Sequence, residues 1–203
     1  MSTNEGGIRC PCIIRYPPLI SLDSSTTTTD PSHLKASATT HAFTNVMDIM
    51  PTILSLAAIR HPYPDTFQSR TIVPMRGKSW VPLLSSQTPH VYDAAFDFTG
   101  WELFGNRAVR QGEWKAVLQA PPRGTGEWEL YDLSVDPGEL RDLAVVGNER
   151  DREKLRELIR HYETYYQETG MFDASLAIEE ARKKVRSVGK VVDGGSLHGF
   201  RGR

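Results

Sequence analysis

Between residues 94 and 132 apolar and polar side chains alternate with period two, and from Asn148 to Gly170 the apolar residues recur at intervals of three and four. The second half of the chain therefore pairs a small antiparallel sheet with one long helix. Strands are expected over 95–98, 107–111, 114–119 and 127–132, joined by a tight turn at Gly112 and a Pro/Gly loop over 121–126, in a meander. The alternation puts Trp114, Ala116 and Leu118 on one face, where Trp128 and Leu130 of the next strand join them. Asn148 with Asp151 forms a capping-box-like start, and Gly170 provides a stop. Leu155, Leu158, Ile159, Tyr162, Tyr165 and Tyr166 line one helix face, which is expected to pack on the sheet. Burying each such Leu or Ile stabilises by roughly 1.5–3 kcal/mol before entropy costs, so this half is expected to hold together by itself.

The first half is less regular. Cys12-Ile13-Ile14-Arg15-Tyr16 is a short apolar run closed by Pro17-Pro18, the pattern of a buried strand, but no partner strand is in sight over the next forty or so residues. Residues 20–40 are Ser/Thr-rich and include Thr26-Thr27-Thr28-Thr29, which predicts a flexible loop. Asp48 stands at an N-cap position, followed by Pro51 and by Ile53, Leu54, Ala57 and Ala58 at helical spacing. His61-Pro62-Tyr63-Pro64 ends that helix, and the chain to Gln87 has no period. Beyond Phe172 a weaker helical pattern over 175–188 leads into a Gly-rich end, where seven basic residues from Arg182 onward face one acid, Asp193. A solvated tail accounts for this. The expected division is 1–90, 91–172 and a basic, partly helical to disordered tail, 173–203.

The formal net charge of -1 over 203 residues gives no global attraction to nucleic acid or membrane, and neither partner is expected. The two cysteines, separated by one proline, cannot build a disulfide framework, and no Asn-x-Ser/Thr acceptor occurs. An intracellular, cytoplasmic setting is favoured, with no signal peptide or transmembrane segment read from the sequence. Gly77-Lys78-Ser79 lacks the first glycine and the context of a phosphate-binding loop, and Cys10-Pro11-Cys12 offers two thiols where zinc needs four ligands. Both cysteines are expected to pack as small apolar residues beside the strand. The six histidines are scattered singly.

Several segments, taken in order, carry a family likeness. They are Glu5-Gly6-Gly7-Ile8-Arg9 with Arg15-Tyr16-Pro17, the run from Val46 to Thr52, Gly77-Lys78-Ser79-Trp80 with Leu83-Leu84, the run from Gly100 to Lys115, and the run from Trp128 to Ala144, which includes Asp136-Pro137-Gly138-Glu139. Over about residues 5–172 they resemble the C-terminal part of a sulfatase, most of all the microbial arylsulfatases. The resemblance implies an α/β fold: the end of an alkaline-phosphatase-like sulfatase domain, then a C-terminal α+β domain of antiparallel meander and packing helix. It implies hydrolysis of a sulfate ester to an alcohol or phenol plus sulfate, with calcium bound in the complete enzyme. Sulfatases use a Cys or Ser, converted to formylglycine, followed by Pro or Ser and then Arg. Cys10 is followed at those places by Cys12 and Ile14, and Cys12 by Ile14 and Tyr16. The family's active-site lysine just ahead of the Gly pair has no counterpart, since the first lysine is Lys35, and the Asp-Asn metal pair is absent. No catalytic or metal-ligating residue is therefore assigned, and the chain is expected to bind no cofactor and to be inactive alone. A small sulfate ester is a substrate only for the complete enzyme. The expected partner is an N-terminal sulfatase half, which this chain would complete as an assembly module. Gly6, Gly7, Arg9, Trp101 and Glu102 are the candidate pocket rim, set against a structural role in which the Gly pair serves a turn and Trp101 packs.

Overall fold

A computed structural model describes residues 2–17, 20–21, 34–35 and 39–171. Along the chain run helix α1 (Glu5–Ile8), strands β1 (Ile20–Ser21) and β2 (Leu34–Lys35), a 3-10 turn (Val46–Asp48), α2 (Ile49–Leu56), β3 (Thr66–Phe67), β4 (Arg70–Thr71) and α3 (Val81–Leu84). These are followed by β5 (Thr99–Leu103), β6 (Asn106–Gln111), β7 (Trp114–Leu118), β8 (Trp128–Asp132), α4 (Leu143–Val146) and α5 (Glu149–Thr169). The contacts divide the chain into two compact units, one joining Met1–Arg9 to the chain from Phe98 onward, the other spanning Cys10–Asp97. The first nine residues, grouped by sequence with 1–90, thus belong with the C-terminal sheet.

In the first of these units β5-β6-β7-β8 form an antiparallel meander. Ala116 pairs with Leu130 and Leu118 with Trp128, the register that alternation predicts. Val109, Ala116 and Leu130 on one sheet face meet Leu158 and Tyr162 of α5, flanked by Phe98, Trp114, Trp128, Leu155, Tyr165 and Tyr166. The helix docks closely because β5 carries Gly100, where a Cβ would lie 2.3 Å from the Tyr165 ring. The Asn148–Asp151 capping box forms at the start of α5, and Gly170 closes it in the left-handed conformation at φ 63°. The opposite sheet face carries Ala108, Val117, Tyr131 and Leu133, with Trp101 packed beside them. Residues 2–9 lie over this face: Thr3 Oγ1 donates to the Arg107 carbonyl at 3.3 Å and Gln119 Nε2 to Ser2 Oγ at 2.9 Å.

Several expectations need correction. The first strand of the meander is β5, Thr99–Leu103, whereas within the predicted strand 95–98 the chain is in a turn over residues 94–96, with Asp97 N–H donating to the Asp93 carbonyl. Phe104 and Gly105, at φ 51° and 86°, make the β5–β6 connection. A four-residue helix, α4, is additional, and its N-cap Asp142 accepts both Ala144 N–H and, across to the sheet, Leu130 N–H.

In the other unit the run from Cys12 to Tyr16 is not a buried strand: it has no regular structure, Ile13 is 95% exposed, and both cysteines are exposed. A strand is buried only by neighbours, and none of the described residues pairs with it. Asp48 is not the side-chain cap of α2; Asn45 caps the 3-10 turn, and Asp48 closes the box from its third position. The buried face of α2 is Pro51 and Thr52, while Ile49, Met50 and Ile53 are exposed. Of the predicted loop 20–40, only a two-residue parallel pairing of β1 with β2 and the residues from 39 onward are described. The predicted helix 175–188 and tail lie outside the described residues.

Candidate functional site

The segments that carry the family likeness converge at two buried junctions, one in each unit. In the sheet unit Lys115 projects from β7 on the face opposite α5, where strand alternation places it beside Val117. Its side chain is 0% exposed, and its Nζ donates to Glu5 Oε1 at 2.8 Å. Glu139 Oε1 also lies 2.8 Å from that nitrogen but outside hydrogen-bond angles, so the contact is ionic. The other oxygen of Glu139 accepts the backbone N–H of Glu5 at 2.8 Å. Arg110 approaches Glu5 Oε2 at 3.9 Å, and the Trp101 ring centroid lies 5.9 Å from Lys115 Nζ. Two cations thus face two carboxylates, which offsets the large cost of taking these groups out of water.

The turn Asp136-Pro137-Gly138-Glu139 aims the second carboxylate. Asp136 accepts the N–H groups of Leu140 and Arg141, at 2.9 and 2.8 Å, which folds the turn tightly. Glu139 is held at φ 54°, a backbone state that costs a non-glycine residue energy and persists only where the surroundings impose it. Nearby, Tyr131 donates to Glu129 at 2.9 Å, and burial first, then that bond, raises its hydroxyl pKa above the ordinary value. With Lys115 Nζ held between carboxylates, the junction fastens chain segments and offers no free nucleophile or acid.

The second junction is centred on Asp48, also 0% exposed. Its Oδ1 accepts Lys78 N–H at 2.9 Å and Tyr92 O–H at 2.5 Å; its Oδ2 accepts Asn45 N–H at 2.7 Å and Trp80 Nε1–H at 3.1 Å. Thr52 Oγ1 links the same parts, donating to the Asp48 carbonyl at 2.6 Å and accepting Trp80 N–H at 2.9 Å. Gly77 lets the two strands of chain approach, since a Cβ there would fall 2.1 Å from the Met47 carbonyl oxygen. Burial, and then the bond to Asp48, raise the Tyr92 hydroxyl pKa well above its usual value. Gly77-Lys78-Ser79-Trp80 is therefore a wrap around a buried carboxylate.

Of the candidate rim residues, Gly6, Gly7 and Arg9 are exposed at α1, and a Cβ on Gly7 would lie 2.3 Å from the Ser2 carbonyl oxygen. Trp101 is partly buried against the Lys115 face. Glu102, its neighbour on β5, is exposed and accepts Gly105 N–H at 2.8 Å in the hairpin turn. Sequence reading places Lys115, Glu139 and Asp48 inside family-like segments but gives them no joint role. The available signal is weak: a lysine on the strand face opposite the Trp114–Ala116–Leu118 row, and an acid in a turn, 24 residues on.

Residues 3–169 match the family model described as N-sulphoglucosamine sulphohydrolase, C-terminal. The chain is 45% identical over 170 residues to an uncharacterised sulfatase of Schizosaccharomyces pombe, covering 84% of this chain and 27% of that protein. The chain belongs to the sulfatase family. It corresponds to the C-terminal portion, and it spans about a quarter of the length of that relative. Solved structures similar to it include a protein in complex with its substrate D-glucosamine-2-N,6-O-disulfate, at TM-score 0.47 and 21% identity over 68% of this chain and 26% of the other. A 2-O GAG sulfatase matches at TM-score 0.41 and 24% identity, over 61% and 24% of the two chains.

The sulfatase family implies a calcium ion, and the residues here do not fit one: among the described residues no group of three or more His, Cys, Asp and Glu side chains is placed to hold a metal. Asp48 spends its oxygens on N–H and O–H donors, and Glu5 and Glu139 spend theirs on Lys115, Arg110 and a backbone amide. Among the described residues, no helix is long and apolar enough to cross a membrane.

Proposed function

We propose that this sulfatase C-terminal portion serves a sulfuric ester hydrolase of the arylsulfatase type, is inactive alone, and acts by completing an N-terminal sulfatase part. Hydrolysis of a sulfate ester needs an activated oxygen nucleophile, a cation at the sulfate oxygens and a proton for the leaving alcohol. In this reading all three, with calcium, come from the N-terminal part, and the small sulfate ester binds only to the assembled enzyme. The observation that carries the proposal is the apolar face that the described residues leave uncovered on the Cys10–Asp97 unit. Val46, Met50 and Ile53 are 78, 60 and 59% exposed on consecutive turns, with Ile49 beside them. Such a contiguous face is costly in water and fits coverage by more protein. Gly6, Gly7, Arg9, Trp101 and Glu102 would contribute to the pocket rim; Gly6, Gly7, Arg9 and Glu102 are solvent-accessible, as a rim requires.

The experiment is hydrolysis of a chromogenic aryl sulfate, with calcium, by this chain alone and mixed with a separately expressed N-terminal part of the fission-yeast relative. No turnover alone and turnover on mixing is the expected result. Calcium-dependent turnover by the chain alone would overturn the proposal. The description of the matching family favours a second reading, in which the bond cleaved is the N–S bond of a sulfated amino sugar. An N-sulfoglucosamine substrate run beside the aryl sulfate in the mixed sample separates the two.

A further inference from the structure

We propose that Lys115, Glu5 and Glu139 form an ionic latch whose role is positional: it fixes residues 2–9 in one register on the sheet. In the reading above this chain completes an N-terminal part, so the latch sets how residues 2–9 are presented to that part. The inference rests on that reading only for this last consequence.

The way the segment is held supports the role. Its two buried side chains are Thr3 and Glu5, both polar, and no apolar side chain of residues 2–9 is buried. Hydrophobic contact holds surfaces together without specifying their register. Here the attachments are directional instead: Thr3 to the β6 backbone, Ser2 to Gln119, the Glu5 carboxylate to Lys115, and the Glu5 amide to Glu139. A buried ion pair adds little net stability over an apolar substitute, and its best attested use is to fix register. The pairing also spans the chain, since Glu5 meets Lys115 across 110 residues and Glu139 across 134. A slip of one residue along the segment would part the Glu5 carboxylate from Lys115 and the Glu5 amide from Glu139 at once, so the wrong registers are disfavoured more than the right one is stabilised.

The latch makes Glu5, Lys115 and Glu139 positioning residues, and amide hydrogen exchange on the 203-residue chain tests this. Glu5→Gln is the main variant, because it leaves Lys115 its contact with Glu139 and spares the sheet. The expected result is at least about tenfold faster exchange at the amides of Glu5, Gly7, Ile8 and Arg9, with those of Val109 and Ala116 unchanged. Lys115→Met should release the same amides, and Lys115→Arg, which keeps the charge, should restore part of the protection. Unchanged exchange at residues 5–9 in Glu5→Gln would overturn the proposal. So would equal acceleration throughout the sheet, which would make the cluster an ordinary part of the core. Neither readout depends on sulfatase turnover, so the latch and the assembly reading can fail separately. In a mixed sample that turns over, Glu5→Gln should lower kcat and leave KM unchanged.

Discussion

Asp48 and Lys115 are both fully buried charges, yet each is satisfied differently. The Asp48 carboxylate is surrounded by N–H and O–H dipoles from Asn45, Lys78, Trp80 and Tyr92, all within 44 residues of chain. Lys115 is met by full charges, one from Glu139 in the turn after the sheet and one from Glu5, 110 residues back along the chain. A dipole shell tolerates loss of one member, because the remaining donors still solvate the carboxylate. A cation between two carboxylates does not, since removing it leaves two like charges buried together. The first arrangement suits packing a helix start within its unit; the second suits joining distant segments in a single register.

The largest expected effect tests that asymmetry. Lys115→Met should destabilise the sheet unit by about 3–5 kcal/mol. Asp48→Asn keeps the shape and one good acceptor while turning an amino group toward two donors, and should cost about 1.5–3 kcal/mol. Denaturant unfolding of the two variants measures both, and equal costs would break the distinction between dipole shell and ion cluster. Gly100→Ala sharpens it from within the same sheet without touching a charge. The added methyl meets the Tyr165 ring at 2.3 Å, and α5 must shift, for a loss of about 1–3 kcal/mol in the same assay.

The smallest effect is one of pH. His161 stacks on Phe98 at 4.5 Å between ring centroids, and its Nδ1 is buried without a hydrogen-bond partner. Burial, chiefly, lowers its pKa below the ordinary 6.5, with Glu157 opposing and Lys154 and Arg160 adding to the shift. The unfolded chain therefore takes up the proton first as pH falls. The contribution is present above about 6.5 and is lost as pH drops through the lower folded value. His161→Phe should flatten this acid limb of the stability profile, as thermal unfolding between pH 7.5 and 5 would record.

The parts of the fold governed by local rules were legible in the sequence. Asn148, Asp151 and Gly170 mark both ends of α5 because caps are made by neighbours in the chain, and alternation gave the Ala116–Leu130 register. The start of the sheet was displaced because β5 turns through Phe104-Gly105, which lacks the Asn-Gly or Asp-Gly signal of a two-residue hairpin. The run Cys12 to Tyr16 has the composition of a buried strand, but composition cannot supply the strands beside it. Neither junction could be read from spacing, because the donors to Asp48 include the backbone amides of Asn45 and Lys78, and Lys115 finds its acids only once the sheet has formed.

The latch also bears on how such a chain can change over generations. Glu5, Lys115 and Glu139 are encoded in three separate segments, yet altering any one of them unbalances the cluster of two cations and two carboxylates that they form with Arg110. A viable lineage must hold all three or replace them together with a neutral set of similar volume. Three distant codons thereby behave as one inherited character, with the intervening sequence free to drift between them.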